Sequence, residues 1–416
     1  MAERPGPANS LGGAPARPEL RPALQLLAAA PHRLLFFVGA SNVLLAMLWW
    51  AYVLAGGTVA ALPGLPPSWL HAFLMQYQVL PAFIFGFLLT VHPRWTSQQP
   101  LSPWHYVPVG LGLFGGQLLT LAAAWSGSTL LLHVGWLQTL AGWISGIVIL
   151  LLSYRHAVAR DPYVISTLAA LGIGLLGVLA FGVWLHSGEL DWLRRMVTLG
   201  VMGLLLPIYL TVALRVFPFF AANVVDGYTL YRPVGFLKLL WVGVLGHLAC
   251  ELLGLSAWRW LPDLLLAGAL GWILWRWWPR SKAPPLLLVL FVGMLWLPLG
   301  LGLYALDSAR LALGLTGLGT LPLHTIAVGF FGSILVAMVT RVTAGHSGRP
   351  LRLGRVAGAA FVVMQLVTVL RMLGSLLPDP APWLTAAAIG WLLAFTPWVL
   401  QSAWIWLTPR ADGKPG

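Results

Sequence analysis

The sequence predicts an all-α, polytopic membrane protein with twelve transmembrane helices. Three observations lead there. Of its 416 residues 59% are hydrophobic and only 8% are charged, a balance that soluble domains do not show. The apolar residues fall in runs of about 20, long enough to cross the hydrocarbon core of a bilayer. Many of the 23 tryptophans stand near the ends of those runs (Trp49, Trp50, Trp69, Trp192, Trp258, Trp260, Trp277 and Trp278), as an interfacial aromatic belt does. The net charge of +13 fits basic loops beside a membrane better than a nucleic-acid partner. The single cysteine, Cys250, excludes an intramolecular disulfide and any cysteine-built zinc or iron–sulfur centre.

The spans are expected at roughly 34–55, 69–92, 105–125, 129–153, 163–185, 196–217, 233–255, 259–278, 284–305, 321–343, 354–376 and 383–408. The loops between them are short, so residues 31–409 read as one transmembrane domain. Residues 1–30 read as a disordered cytoplasmic tail and 410–416 as a short cytoplasmic one. With the N-terminus inside, nineteen of the 24 lysines and arginines fall on the cytoplasmic side. That bias places both termini in the cytoplasm, at a bacterial inner membrane.

On this layout His71 opens the second span and His324 the tenth, both near the outer surface, with His133, His186 and His247 at the same level. Spans two, six and ten all run inward and end alike: Thr90-Val-His-Pro-Arg94, Thr211-Val-Ala-Leu-Arg215 and Val339-Thr-Arg341. Such a recurrence suggests three four-helix units about a pseudo-threefold axis, or else a coincidence of the positive-inside rule. Haem-copper oxidases and nitric-oxide reductases have twelve helices in such an arrangement, with a low-spin haem held by histidines of the second and tenth. That likeness is architectural.

Histidines at the edge of a span are functional candidates. On position alone His71 and His324 read either as axial ligands of a haem clamped between two helices or as interfacial histidines. Met75, one turn after His71, reads as core or as a soft ligand. His247, Cys250 and Glu251 lie at i, i+3 and i+4 on one helix face. Glu251 reads as the only acidic residue well inside a span, and therefore as a proton-delivery group with a catalytic role or, with His247, as part of a second metal site. Arg194 and Arg195 are candidate partners for haem propionates, because arginine binds carboxylates bidentately. The string Arg341…Gly345-His346-Ser347-Gly348-Arg349-Pro350 suits a tight turn closing a helix, and its arginines suit a lipid phosphate or another anion. His346 lies too far from His324 to share an iron, since 22 helical residues rise ~33 Å.

The pattern from His324 through Val328-Gly329 and Gly332 to Met338-Val-Thr-Arg341-Val and Gly345-His346-Ser-Gly348-Arg349-Pro350 resembles the NnrS family, membrane proteins of the nitric-oxide response that carry haem and copper. Gly86-Phe-Leu-Leu-Thr90 with Pro93-Arg-Trp-Thr96 is similar to the family's GFLLTAxPNWT, and Arg215-Val-Phe-Pro218-Phe-Phe-Ala-Ala-Asn223 to its RxxPxFTxN. The resemblance implies haem b held by His71 and His324, nitric oxide as the small ligand, a quinol or other electron donor as partner, and a reaction of the nitric-oxide-reductase type. Without turnover, gas sensing or haem-mediated electron transfer remains. Transport of a metal or small anion is the reading that needs no haem. Family members open span two with His-Ala-His-Glu-Met, whereas this chain has His71-Ala72-Phe73-Leu74-Met75, which puts the copper in question.

Overall fold

A computed structural model describes residues 20–157 and 160–413. The described residues form helices and no strand. A short helix α1 (Leu20–Leu27) precedes α2 (Pro31–Leu54), α3 (Pro67–Trp95), α4 (Pro103–Ser126), α5 (Thr129–Arg155), α6 (Pro162–Ser187), α7 (Leu190–Ala222) and α8 (Gly235–Leu252). Then come α9 (Trp260–Trp277), α10 (Pro285–Ala312), α11 (Leu321–His346), α12 (Arg355–Leu376) and α13 (Ala381–Trp406). Helices α2–α13 coincide with the twelve expected spans to within a few residues. Eleven of them are long and apolar enough to cross a membrane. The exception is α9, which has the length but carries Asp263 and Arg276. Residues 1–19 of the expected tail lie outside the described residues, and part of its remainder is the helix α1, packed on α2.

The bundle closes on itself, because α13 packs against α2 as well as against α12. Where helices cross closely, small residues make the approach. A Cβ on Gly112 of α4 would stand 2.4 Å from the Gly142 Cα of α5. In α10 the helical ladder is interrupted only at Leu295, between Pro285–Met294 and Trp296–Ala312.

Helices α3, α7 and α11 are the three most deeply buried spans. They are also the three whose ends look alike in sequence. Each contains one π-helical segment: Leu74–Val79, Leu199–Leu205 and Thr325–Gly332. Single π turns inside α-helices mark functional positions in many proteins. In α3 a local cause is visible. Pro81 has no N–H to give the Tyr77 carbonyl one turn back, and that carbonyl accepts from Trp143 Nε1 at 2.8 Å instead. The neighbouring Gln78 carbonyl accepts from Asn42 Nδ2 at 3.1 Å, while Gln78 Nε2 donates to Thr120 and Thr139 at 3.0 and 2.8 Å. Pro207 stands in the same place after the π segment of α7, so α3 and α7 stay helical through both prolines. Glycine lets these two helices touch at their π segments: a Cβ on Gly200 would meet Gln76 Oε1 at 1.9 Å. Below this contact α3, α7 and α11 surround an apolar cavity of about 70 Å³, lined by residues such as Phe83, Phe87, Tyr209, Leu335 and Met338.

Candidate functional site

The π segments of α3 and α11 each follow closely on a histidine. His324 immediately precedes Thr325, the first residue of its segment, and His71 lies three residues ahead of Leu74. Both helices start at the same end of the bundle, and the two side chains are close enough for the charge of one to act on the other. His71 stacks on Trp50 of α2, with centroids 4.5 Å apart and planes 10° from parallel. Its Nδ1 is buried and has no hydrogen-bond partner. His324 Nδ1 lies 3.0 Å from the Thr320 carbonyl.

Arg371 of α12 completes the group. Its Nη2 lies 3.0 Å from His324 Nδ1, 3.3 Å from Nε2 and 3.0 Å from Thr320 Oγ1. Its Nη1 donates to Ser375 Oγ at 2.7 Å. Arg371 is near enough to His71 for its charge to act there too. No carboxylate among the described residues pairs with it. Beside it, the loop Gly317–Thr320 and the end of α12 enclose an open cavity of about 550 Å³, a size typical of small-molecule sites. Two imidazoles from separate helices, one of them with an orphaned nitrogen, and a guanidinium lacking a counter-charge, suit an anionic metal macrocycle. The donor set therefore fits a haem: nitrogen ligands for iron and an arginine for a carboxylate.

The other sequence candidates fall elsewhere. Arg194 and Arg195 lie at the start of α7 and pair with Asp191 at 3.8 and 2.6 Å. The guanidinium brought to the histidines is thus Arg371. It stands inside an apolar run of α12, and an arginine in that position was the signal available in the sequence. His133 and His186 approach each other, with ring centroids 5.4 Å apart. Met75 packs against the core. Phe73, where relatives carry a second histidine, is fully buried and stacks on Phe181 at 4.0 Å.

His247 and Glu251 belong to a second cluster. His247 Nδ1 is 2.6 Å from Asp263 Oδ1, and both side chains are buried. Arg259 bonds Glu251 through Nη1 and Asp307 Oδ2 through Nη2 at 2.5 Å, with its Nε 3.4 Å from Asp263 Oδ2. Tyr304 lies edge-on to His247 at 5.2 Å and beneath the guanidinium at 4.9 Å. The expectation that Glu251 is the only acid inside a span is corrected here. Asp263 is fully buried and Asp307 nearly so, whereas Glu251 reaches the surface in part. Cys250 is a free, partly buried thiol. Among the described residues no group of three or more His, Cys, Asp or Glu is arranged to hold a metal ion.

The string that closes α11 does structural work at the opposite end. Arg341 lies 3.7 Å over the Phe220 ring. Gly348 has φ +68°, a left-handed conformation open to glycine. Ala411 N donates to the Ser347 carbonyl at 2.9 Å and Arg410 Nη1 to the His346 carbonyl at 3.0 Å, so the C-terminal segment docks on this turn.

No curated protein matches the chain. The model of the family described as NnrS protein matches residues 26–410, nearly the whole chain; this all-α membrane protein belongs to the NnrS family.

Proposed function

We propose that this protein binds haem between α3 and α11 and uses it to bind or consume nitric oxide at a bacterial inner membrane, with both termini in the cytoplasm. One observation carries the reading: Arg371, which lacks a carboxylate partner, contacts His324 ahead of one π segment, while His71, with an orphaned Nδ1, stands ahead of another. His71 and His324 would hold the iron. Arg371 would exchange its contact with the His324 ring for a propionate. When bound, the haem supplies an iron that coordinates a small gas and changes redox state by one electron. The cavity walled by Phe83, Tyr209 and Met338 offers an uncharged gas an apolar place deep in the bundle. Phe73 supplies no donor atom, so copper at that position is not proposed.

A second reading is a haem protein that senses gas or passes electrons without turnover. It is favoured by Glu251, the residue singled out for catalysis, because its carboxylate is tied to Arg259. Transport finds less support, since α3 and α7 continue as helix through Pro81 and Pro207 where transporters carry unwound segments at their binding sites. Adding nitric oxide to the purified, reduced protein tests these readings. A shift of the optical bands with nitrous oxide released under an electron donor supports turnover, and a shift without nitrous oxide supports sensing or transfer. A colourless protein, even after haem is supplied, removes both.

A further inference from the structure

The end of the bundle opposite His71 carries a second pair of histidines. The rings of His32, at the start of α2, and His346, at the end of α11, lie 4.2 Å apart at 43°. His32 is 5% exposed, and its Nδ1 is buried without a hydrogen-bond partner. Arginines crowd this pair. Arg33, Arg94 and Arg410 act on the charge of both rings, and Arg349 is close enough to act on Arg33. The acid paired with this group among the described residues is Asp412, which binds Arg410 at 2.6 Å.

Two of the four guanidiniums have structural work. Arg33 Nη1 donates to the Trp406 and Thr408 carbonyls, both at 3.1 Å, and so caps α13. Arg410 anchors the C-terminal segment to the His346 carbonyl. Arg94 is exposed, and Arg349 has a buried Nη1 with no partner. Basic residues that merely follow the positive-inside rule extend their charges into water or headgroups. Here an imidazole nitrogen and a guanidinium nitrogen are withdrawn from solvent and left unsatisfied, which native structures rarely tolerate. Cations in excess of acids exclude a bare metal ion as the missing partner. An oxyanion meets both demands, because it neutralises charge and accepts several hydrogen bonds from arginine forks.

We infer that His32, His346, Arg94 and Arg349 form a binding site for a phosphate group, presented either by an anionic phospholipid headgroup or by a soluble phosphate. The site is separate from the His71–His324 site and does not depend on haem. Arg94 on α3 and Arg349 after α11 bring the helices that carry His71 and His324 to one ligand, so occupancy ties the closing turn of α11 to the end of α3.

The test is the melting temperature of the full-length protein. It is measured in detergent with inorganic phosphate against chloride at equal ionic strength, and in nanodiscs of phosphatidylglycerol against phosphatidylcholine. Either anion is expected to raise the melting temperature. An effect of phosphate in detergent assigns a soluble ligand, and an effect confined to phosphatidylglycerol assigns the headgroup. Arg94→Gln, at an exposed position that folding tolerates, and Arg349→Gln should each weaken the apparent affinity roughly 10-fold or more, the loss expected when one charge-assisted hydrogen bond is removed. Arg349→Lys should keep part of the effect. No rise with either anion, or a rise undiminished in both glutamine variants, would overturn the site.

Discussion

Two clusters share the His71 end of the bundle, and they differ in whether the guanidinium meets a carboxylate. Around His247, one guanidinium meets three carboxylates and one imidazole meets an aspartate. Around His324, a guanidinium meets only imidazole and hydroxyl groups, and the other imidazole keeps an orphaned nitrogen. Charge inside a membrane span is costly and usually functional. In the first cluster each charged group meets an opposite charge, which offsets part of that cost. The second leaves it for a ligand to offset. The two are linked, because the Leu318 N–H donates to Asp307 Oδ1. Arg259, by holding Asp307, thereby fixes the loop that presents Thr320 to His324.

The sharpest way to break this contrast is to open the ion-paired cluster. Arg259→Ala leaves Asp263 and Asp307 buried and uncompensated, a loss of about 3–5 kcal/mol. Thermal denaturation should show a much lower melting temperature. The haem content per folded molecule should be less affected than the yield of folded protein, and selective loss of haem with full stability would erase the distinction. Arg371→Gln should do the opposite, because it removes an uncompensated charge. Folding should be retained while haem affinity falls by roughly 10- to 100-fold, the weight of one charge-assisted hydrogen bond at about 1.5–3 kcal/mol. Haem titration of the two proteins measures this. Arg195→Ala provides the smallest effect. Its partner Asp191 is half-exposed, and exposed pairs contribute little, so neither haem content nor melting temperature should change measurably.

Most of the fold was legible in the sequence, because hydrophobic length and basic loops are local signals. The eighth expected span is a helix of 18 residues from Trp260, but with Asp263 and Arg276 it is not apolar enough to count with the eleven candidate spans. The π segments were not legible. In α3, Trp143 and Asn42 from neighbouring helices satisfy the carbonyls ahead of Pro81 and keep the chain helical. The recurrence of Thr90–Arg94 and Thr211–Arg215 with the end of span ten singled out the three helices that prove most buried. At the site, His71 and His324 were legible from their place at span ends. Arg371 was marked by its place inside an apolar run, but its pairing with His324, 47 positions away, was not legible, because partner choice across helices leaves no trace in local spacing. For the same reason Glu251 was favoured over Asp263, which sits one turn after Arg259 at a helix start and gives no outward sign of full burial.

The measurement that bears most directly on the account is the optical spectrum of the purified protein beside His71→Ala, His324→Ala and His133→Ala. With all four folded, the account predicts haem bands in the wild type and in His133→Ala, and their loss or a changed ligation state in the other two. Unchanged bands in both His71→Ala and His324→Ala would contradict it.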